Sequence, residues 1–169
     1  MLKSLSEQDK RELRGFGVRL GAAAIILWLL LGVVYGIAPQ PNADMSPTAE
    51  GGDLLFFYRP QSLWRTGDLA VWEKDGQTLV GRVAARGGDT VEITQDGRLV
   101  VNGSTVVESR VHTPTPPYPG LDYPITLEEE ELFLLADRRE GGVDSRSYGP
   151  ATLKEVKGKV LLILRRSQL

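Results

Sequence analysis

Cysteine is absent from the 169 residues and histidine occurs once, as His112. Without Cys there is no disulfide framework, thiolate zinc site or cysteine nucleophile, and a single His supports neither a histidine metal site nor a Ser-His-Asp triad. No metal or cofactor is expected. Charge of one sign is lacking too. The 20 Lys and Arg stand against 22 Asp and Glu for a net charge of -2, without the basic excess of a nucleic-acid binder. The 19 Gly and 10 Pro are dispersed with no repeat, which excludes collagen-like and low-complexity chains.

The averages conceal one asymmetry. Residues 20–38 (LGAAAIILWLLLGVVYGIA) carry no charge and at about 1.5 Å per helical residue are long enough to cross a bilayer. A buried core helix is the soluble alternative, but uncharged runs of this length are uncommon in small domains. A cleaved signal peptide is the other, with small residues at Gly36-Ile37-Ala38. Pro39 would then follow the scissile bond, where its fixed φ and missing N–H suit an extended protease-bound strand badly. A retained anchor is the preferred reading. Lys3, Lys10, Arg11, Arg14 and Arg19 precede the run, against Glu7, Asp9 and Glu12. The positive-inside bias then makes residues 1–19 cytoplasmic, 20–38 a single transmembrane helix of the cell membrane, and 39–169 an extracytoplasmic domain.

That domain is written in strand and turn language. Residues 69–74 and 78–83 flank Asp75-Gly76, a strong hairpin cue. Residues 90–93 and 98–101 flank Asp96-Gly97, and Asn102-Gly103 leads into residues 104–107. A proline-rich loop at 112–120 cannot lie inside a sheet. Residues 132–135 and 159–164 supply two more strands, the last too short for a second span. The expected fold is mainly β, with folded-over antiparallel sheets or a partial barrel behind one N-terminal helix.

Four blocks in fixed order resemble the boxes of type I signal peptidases. Asp44-Met45-Ser46-Pro47-Thr48 with Gly52-Asp53 is similar to the first box, Ser-Met-x-Pro-Thr then Gly-Asp. Gly67-Asp68 resembles the second. Residues 81–89, with Arg82, Val83 and Gly88-Asp89, resemble the third, which opens on Lys-Arg-Val. Asp137-Arg138-Arg139 followed by Asp144-Ser145-Arg146 and Gly149 resembles the fourth. A Gly-Asp pair alone usually marks a turn; four ordered boxes behind an anchor are specific.

The resemblance implies Ser-Lys peptide hydrolysis, in which a neutral Lys takes the proton of an attacking Ser. It also implies where those groups stand. The nucleophile position is Asp44, the general-base position is Gly81, and the position of a Ser that orients the Lys is Gly142. None carries the required group. The scaffold positions Met45, Pro47, Asp53, Arg82, Asp89, Asp137, Arg139, Asp144, Ser145 and Arg146 all match. Asn42, two residues before Asp44, is the oxyanion-donor candidate, and a turn residue beside Pro41 is its alternative. Ser46 is displaced from the nucleophile position by about 7 Å along an extended chain, beyond hydrogen-bond reach of a base there. His112 and Lys74, Lys154, Lys157 and Lys159 read as surface residues.

Family substrates lie extended along strand edges near the first and third boxes, a binding mode that needs no nucleophile. Asn42, Asp44, Met45, Leu79 and Gly81 are the groove candidates, with open space expected beside Asp44 where Gly81 lacks a side chain. The implied function is a membrane-anchored, peptidase-inactive homologue of the serine peptidases. It would bind an exported protein or peptide, with pilin and sortase as the implied partners. In this it resembles the accessory chaperones of Gram-positive pilus clusters, which also carry Asp and Gly at the two catalytic positions. An active signal peptidase with an unorthodox site is the alternative.

Overall fold

The computed structural model describes residues 7–108, 111 and 113–166; His112 lies outside them. The chain begins with helix α1 (Glu7–Leu29) and one widened π-helical turn (Leu30–Val34). From Lys10 to Val34 this helix is long and apolar enough to cross a membrane, and its apolar stretch is not buried against the rest of the chain. That suits a single-pass membrane protein.

The helix ends four residues before the uncharged run does. Tyr35–Pro39 form strand β1, which pairs antiparallel with β2 (Leu54–Tyr58). Tertiary pairing overrides the helical reading of residues 35–38. The Tyr35 ring stacks on Phe56 at 5.0 Å, and a Cβ at Gly36 would stand 2.3 Å from the Phe57 ring, so only glycine permits this approach of strand to strand.

Beyond β2 the chain makes two antiparallel sheets. The remaining strands are β3 (Leu69–Lys74), β4 (Gln77–Arg86), β5 (Thr90–Ile93), β6 (Leu99–Val101), β7 (Ser104–Thr105), β8 (Ile125–Thr126), β9 (Glu131–Leu135), β10 (Ala151–Thr152) and β11 (Val156–Leu164), with a short helix α2 (Ser145–Tyr148). The larger sheet runs β1-β2-β11-β3-β4-β9-β10 and the smaller β7-β6-β5-β8. The expected mainly β fold of antiparallel sheets behind an apolar helix is therefore present. Asp75 and Gly76 both adopt positive φ, as do Asn102 and Gly103, the backbone of tight hairpin turns. The strand expected at 104–107 stops at Thr105.

Alternation along β3, β4 and β9 divides the core. Ala70, Trp72, Leu79, Val83, Leu132 and Leu134 share one cluster. Val71 and Val80 point the other way, onto Met45, Ala49, Leu55 and Phe57. Phe133 and Leu135 join Ala84, Ala85, Val91 and Ile93 in a third cluster toward the smaller sheet. A bulge between Val83 and Ala85 redirects β4 from the first cluster to the third. Both faces of the central strands are thus covered, and the first-box turn rests on one of them through buried Met45.

Candidate functional site

The fourth box is held by charge. Asp144 is N-cap of α2, accepting from the backbone N–H of Arg146 and from that of Ala136 at 2.9 Å, while its carboxylate pairs with the Arg146 guanidinium at 2.8 Å. Both side chains are fully buried, so each charge depends on the other and on these bonds. Ser145 Oγ accepts from the Leu134 N–H at 3.0 Å. Arg139, also fully buried, donates to Ala136 O at 2.7 Å, to Thr115 Oγ1 at 2.6 Å and to Glu108 at 2.6 Å. Arg146 donates to Pro116 O at 3.1 Å and sits over the Tyr118 ring at 4.4 Å. Two box arginines therefore pin the proline-rich loop.

Arg82 joins the third box to the first and fourth. Its guanidinium grips Asp137 with two bonds, Nε to Oδ1 at 2.7 Å and a terminal nitrogen to Oδ2 at 2.5 Å, the fork geometry that suits arginine. It also reaches Gly67 O at 2.9 Å and Thr48 Oγ1 at 3.2 Å, and Thr48 itself donates to Asp137. Asp53 accepts from the N–H groups of Glu50 and Arg166, which hold its carboxyl below the usual range. Asp89 accepts from Arg86 N and Asn102 Nδ2. Thr115 and Glu108 escaped the sequence reading, because their partner Arg139 lies 24 and 31 residues away; Thr48, which stands in the first box, finds Asp137 across 89 residues.

Asp44, Gly81 and Gly142 converge on one stretch of chain, from β9 into the fourth box. Asp44 O accepts from Arg138 N at 2.8 Å, and its carboxylate Oδ2 accepts from Asn42 Nδ2 at 2.9 Å and Val143 N at 3.2 Å. Asn42 Oδ1 in turn accepts from Asp44 N at 3.0 Å. The Asn42 amide donor is therefore engaged by Asp44, and its carbonyl closes a local turn, as the turn reading of Asn42 expects.

The space expected beside Asp44 is filled. A Cβ on Gly81 would stand 3.0 Å from Leu134 Cβ, facing the first core cluster. At Gly142 a Cβ would stand 2.4 Å from Arg138 O and 2.7 Å from Ala136 Cβ, so no side chain of any kind fits. Two groove candidates are corrected as well, since Met45 and Leu79 are buried core residues. Three of the lysines read as solvated charges are ion-paired, Lys74 with Glu155, Lys157 with Glu73 and Lys159 with Asp68. Among the described residues no cluster of acidic groups could hold a metal.

Residues 13–165 match the family model described as signal peptidase, peptidase S26. The chain is 23% identical over 169 residues to signal peptidase I S of Bacillus subtilis (strain 168), covering 93% of this chain and 91% of that protein. It is 27% identical over 139 residues to the probable thylakoidal processing peptidase 2, chloroplastic, of Arabidopsis thaliana, covering 70% of this chain but only 35% of the plant protein. A crystal structure of a signal peptidase I from Enterococcus faecalis V583 aligns with a TM-score of 0.48 at 24% identity, over 60% of this chain and 98% of that one. With the ion pairs of the third and fourth boxes in place and the family match running from the apolar helix to the last strand, the chain belongs to the signal peptidase, peptidase S26 family.

Proposed function

We propose that this protein is a membrane-anchored signal-peptidase homologue that binds extended segments of exported proteins without cleaving them, as an accessory or chaperone in surface-protein assembly. Asp44, at the position the family resemblance assigns to the nucleophile, carries the reading. Its carboxylate is a structural acceptor for Asn42 and Val143 rather than a hydroxyl facing a base. Gly81 and Gly142 supply no lysine and no orienting hydroxyl, and the backbone at Gly142 leaves no room for one. The basic residues Lys10, Arg11, Arg14 and Arg19 favour a cytoplasmic N-terminus and an extracytoplasmic domain after residue 38.

The bound protein is a pilin-like surface polypeptide that a sortase later joins to others. Photo-crosslinking from Asn42 in the full chain, in the presence of the surface proteins encoded beside it, is expected to yield a pilin adduct. A neighbourhood with neither a pilin-like gene nor a sortase gene overturns the pilus assignment. A second reading, an active signal peptidase, has the extent of the family match in its favour. It requires turnover that depends on Asp44.

A further inference from the structure

A cavity of about 1040 Å³ lies between the first-box turn at residues 46–48, the fourth-box loop and the end of β11. Its walls include Pro47, Thr113, Arg138, Glu140, Ile163 and Arg165. Two other ionic groups at this place are neutralised by partners, Asp137 by Arg82 and Arg139 by Glu108. Arg138 and Arg165 are different. Both are exposed and neither forms a direct ion pair among the described residues; Arg165 donates to Pro47 O at 3.1 Å and is near enough to the Asp53 carboxylate to help hold it ionised. The hollow therefore presents two exposed guanidinium groups that no carboxylate grips directly among the described residues. We propose that it binds a carboxylate-bearing stretch of an extended polypeptide between Arg138 and Arg165.

Three observations select that ligand. Glu140 on the same wall opposes a dianion, so a single carboxylate suits the site better than a phosphate. Pro47 and Ile163 give apolar walls for the chain that carries it. The cavity also lies away from the membrane helix. The helix enters β1 at Tyr35, opposite Tyr58 and Lys159, whereas Arg165 follows Leu164 at the other end of the same strands, opposite Leu54 and Pro39. Four residue steps at about 3.3 Å separate the two ends by about 13 Å, which disfavours a lipid headgroup. The Arg138 N–H bond to Asp44 O joins the cavity wall to the first-box turn that carries the proposed peptide site. The proposal rests on the peptide-binding reading above.

The test is fluorescence anisotropy of the full chain in detergent with three labelled extended peptides identical except for Glu, Gln or Lys at alternate positions. At about 50 mM salt the Glu peptide is expected to bind about tenfold tighter than its Gln twin, the fold-change of one charge-assisted hydrogen bond. The preference should fade at about 0.5 M salt, where screening acts within about 4 Å. Arg138→Ala removes most of it, Arg138→Lys retains it in part, and the Arg138→Glu, Arg165→Glu double variant favours the Lys peptide, the readout being the ratio of Glu- to Gln-peptide affinity within each variant. Equal binding of the Glu and Gln peptides overturns the anion site and leaves the peptide-binding reading standing. Binding of none of them overturns both. Arginine variants that lose adhesion to anionic vesicles while keeping the Glu preference assign the arginines to lipid and overturn the proposal.

Discussion

The carboxylate of Asp44 accepts a hydrogen bond from the backbone N–H of Val143, 99 residues later in the chain, at 3.2 Å. With Asp44 O bound to Arg138 N, one residue ties both ends of the fourth-box loop to the first box. Asp44→Ala strands the Val143 and Asn42 donors and is expected to cost about 1–2 kcal/mol. Asp44→Asn, which retains one carbonyl acceptor, costs less. Thermal unfolding of the full chain in detergent, followed by tryptophan emission, ranks the two; equal stability of Asp44→Ala and wild type contradicts a structural role.

Gly142 is the position where a restored hydroxyl would have to stand. A Cβ there meets Arg138 O at 2.4 Å and Ala136 Cβ at 2.7 Å, so Gly142→Ser is expected to lose about 1–3 kcal/mol through overpacking. Its neighbour is the control. Gly141 has a positive φ but open space around it, and Gly141→Ala should cost only about 1 kcal/mol, from the backbone alone. Melting temperatures of the two variants separate steric from conformational cost.

Arg82 and Asp137 are a buried couple, with side chains 13% and 1% exposed. Removing either partner leaves an uncompensated charge, and Arg82→Ala and Asp137→Ala are each expected to destabilise by about 3–5 kcal/mol. Replacing both, as Arg82→Met with Asp137→Leu, recovers most of that. A double-mutant cycle by denaturant unfolding gives the coupling, and additive single losses would contradict a mutually dependent pair.

Local chemistry was readable in the sequence, and distance was not. Asp75-Gly76 and Asn102-Gly103 announced their hairpins because a tight turn depends on its own two residues. The end of the apolar helix was hidden, because Tyr35 and Gly36 leave the helix for partners at Tyr58 and Phe57. The final strand was visible as an apolar run, yet its place between β2 and β3 is set by pairings with strands far back in the chain. The same limit governed the site. The motif match located Asp44, Gly81 and Gly142, while the burial of Met45 and the contact of Gly81 with Leu134 depend on how the sheet is assembled.

Tyr123 provides an alkaline signature. Burial, reinforced by the Asp144 carboxylate, pushes its phenol up to about 12. Since the fold favours the neutral phenol, this stabilisation is complete below the ordinary tyrosine value of about 10 and is lost as pH rises from there through 12. Absorbance at 295 nm should show a late-titrating tyrosine that disappears in Tyr123→Phe. Because the buried Tyr123 hydroxyl has no hydrogen-bond partner among the described residues, that substitution is expected not to lower stability at neutral pH.

The central claim is that this member of the peptidase S26 family binds without cutting. Intact-mass spectrometry decides it: the full chain in detergent is incubated with a secreted precursor that carries its own signal peptide, and products are followed over hours. The account predicts that the precursor mass stays unchanged while the two proteins remain cross-linkable. Steady appearance of a shortened precursor, abolished by Asp44→Ala, would contradict it.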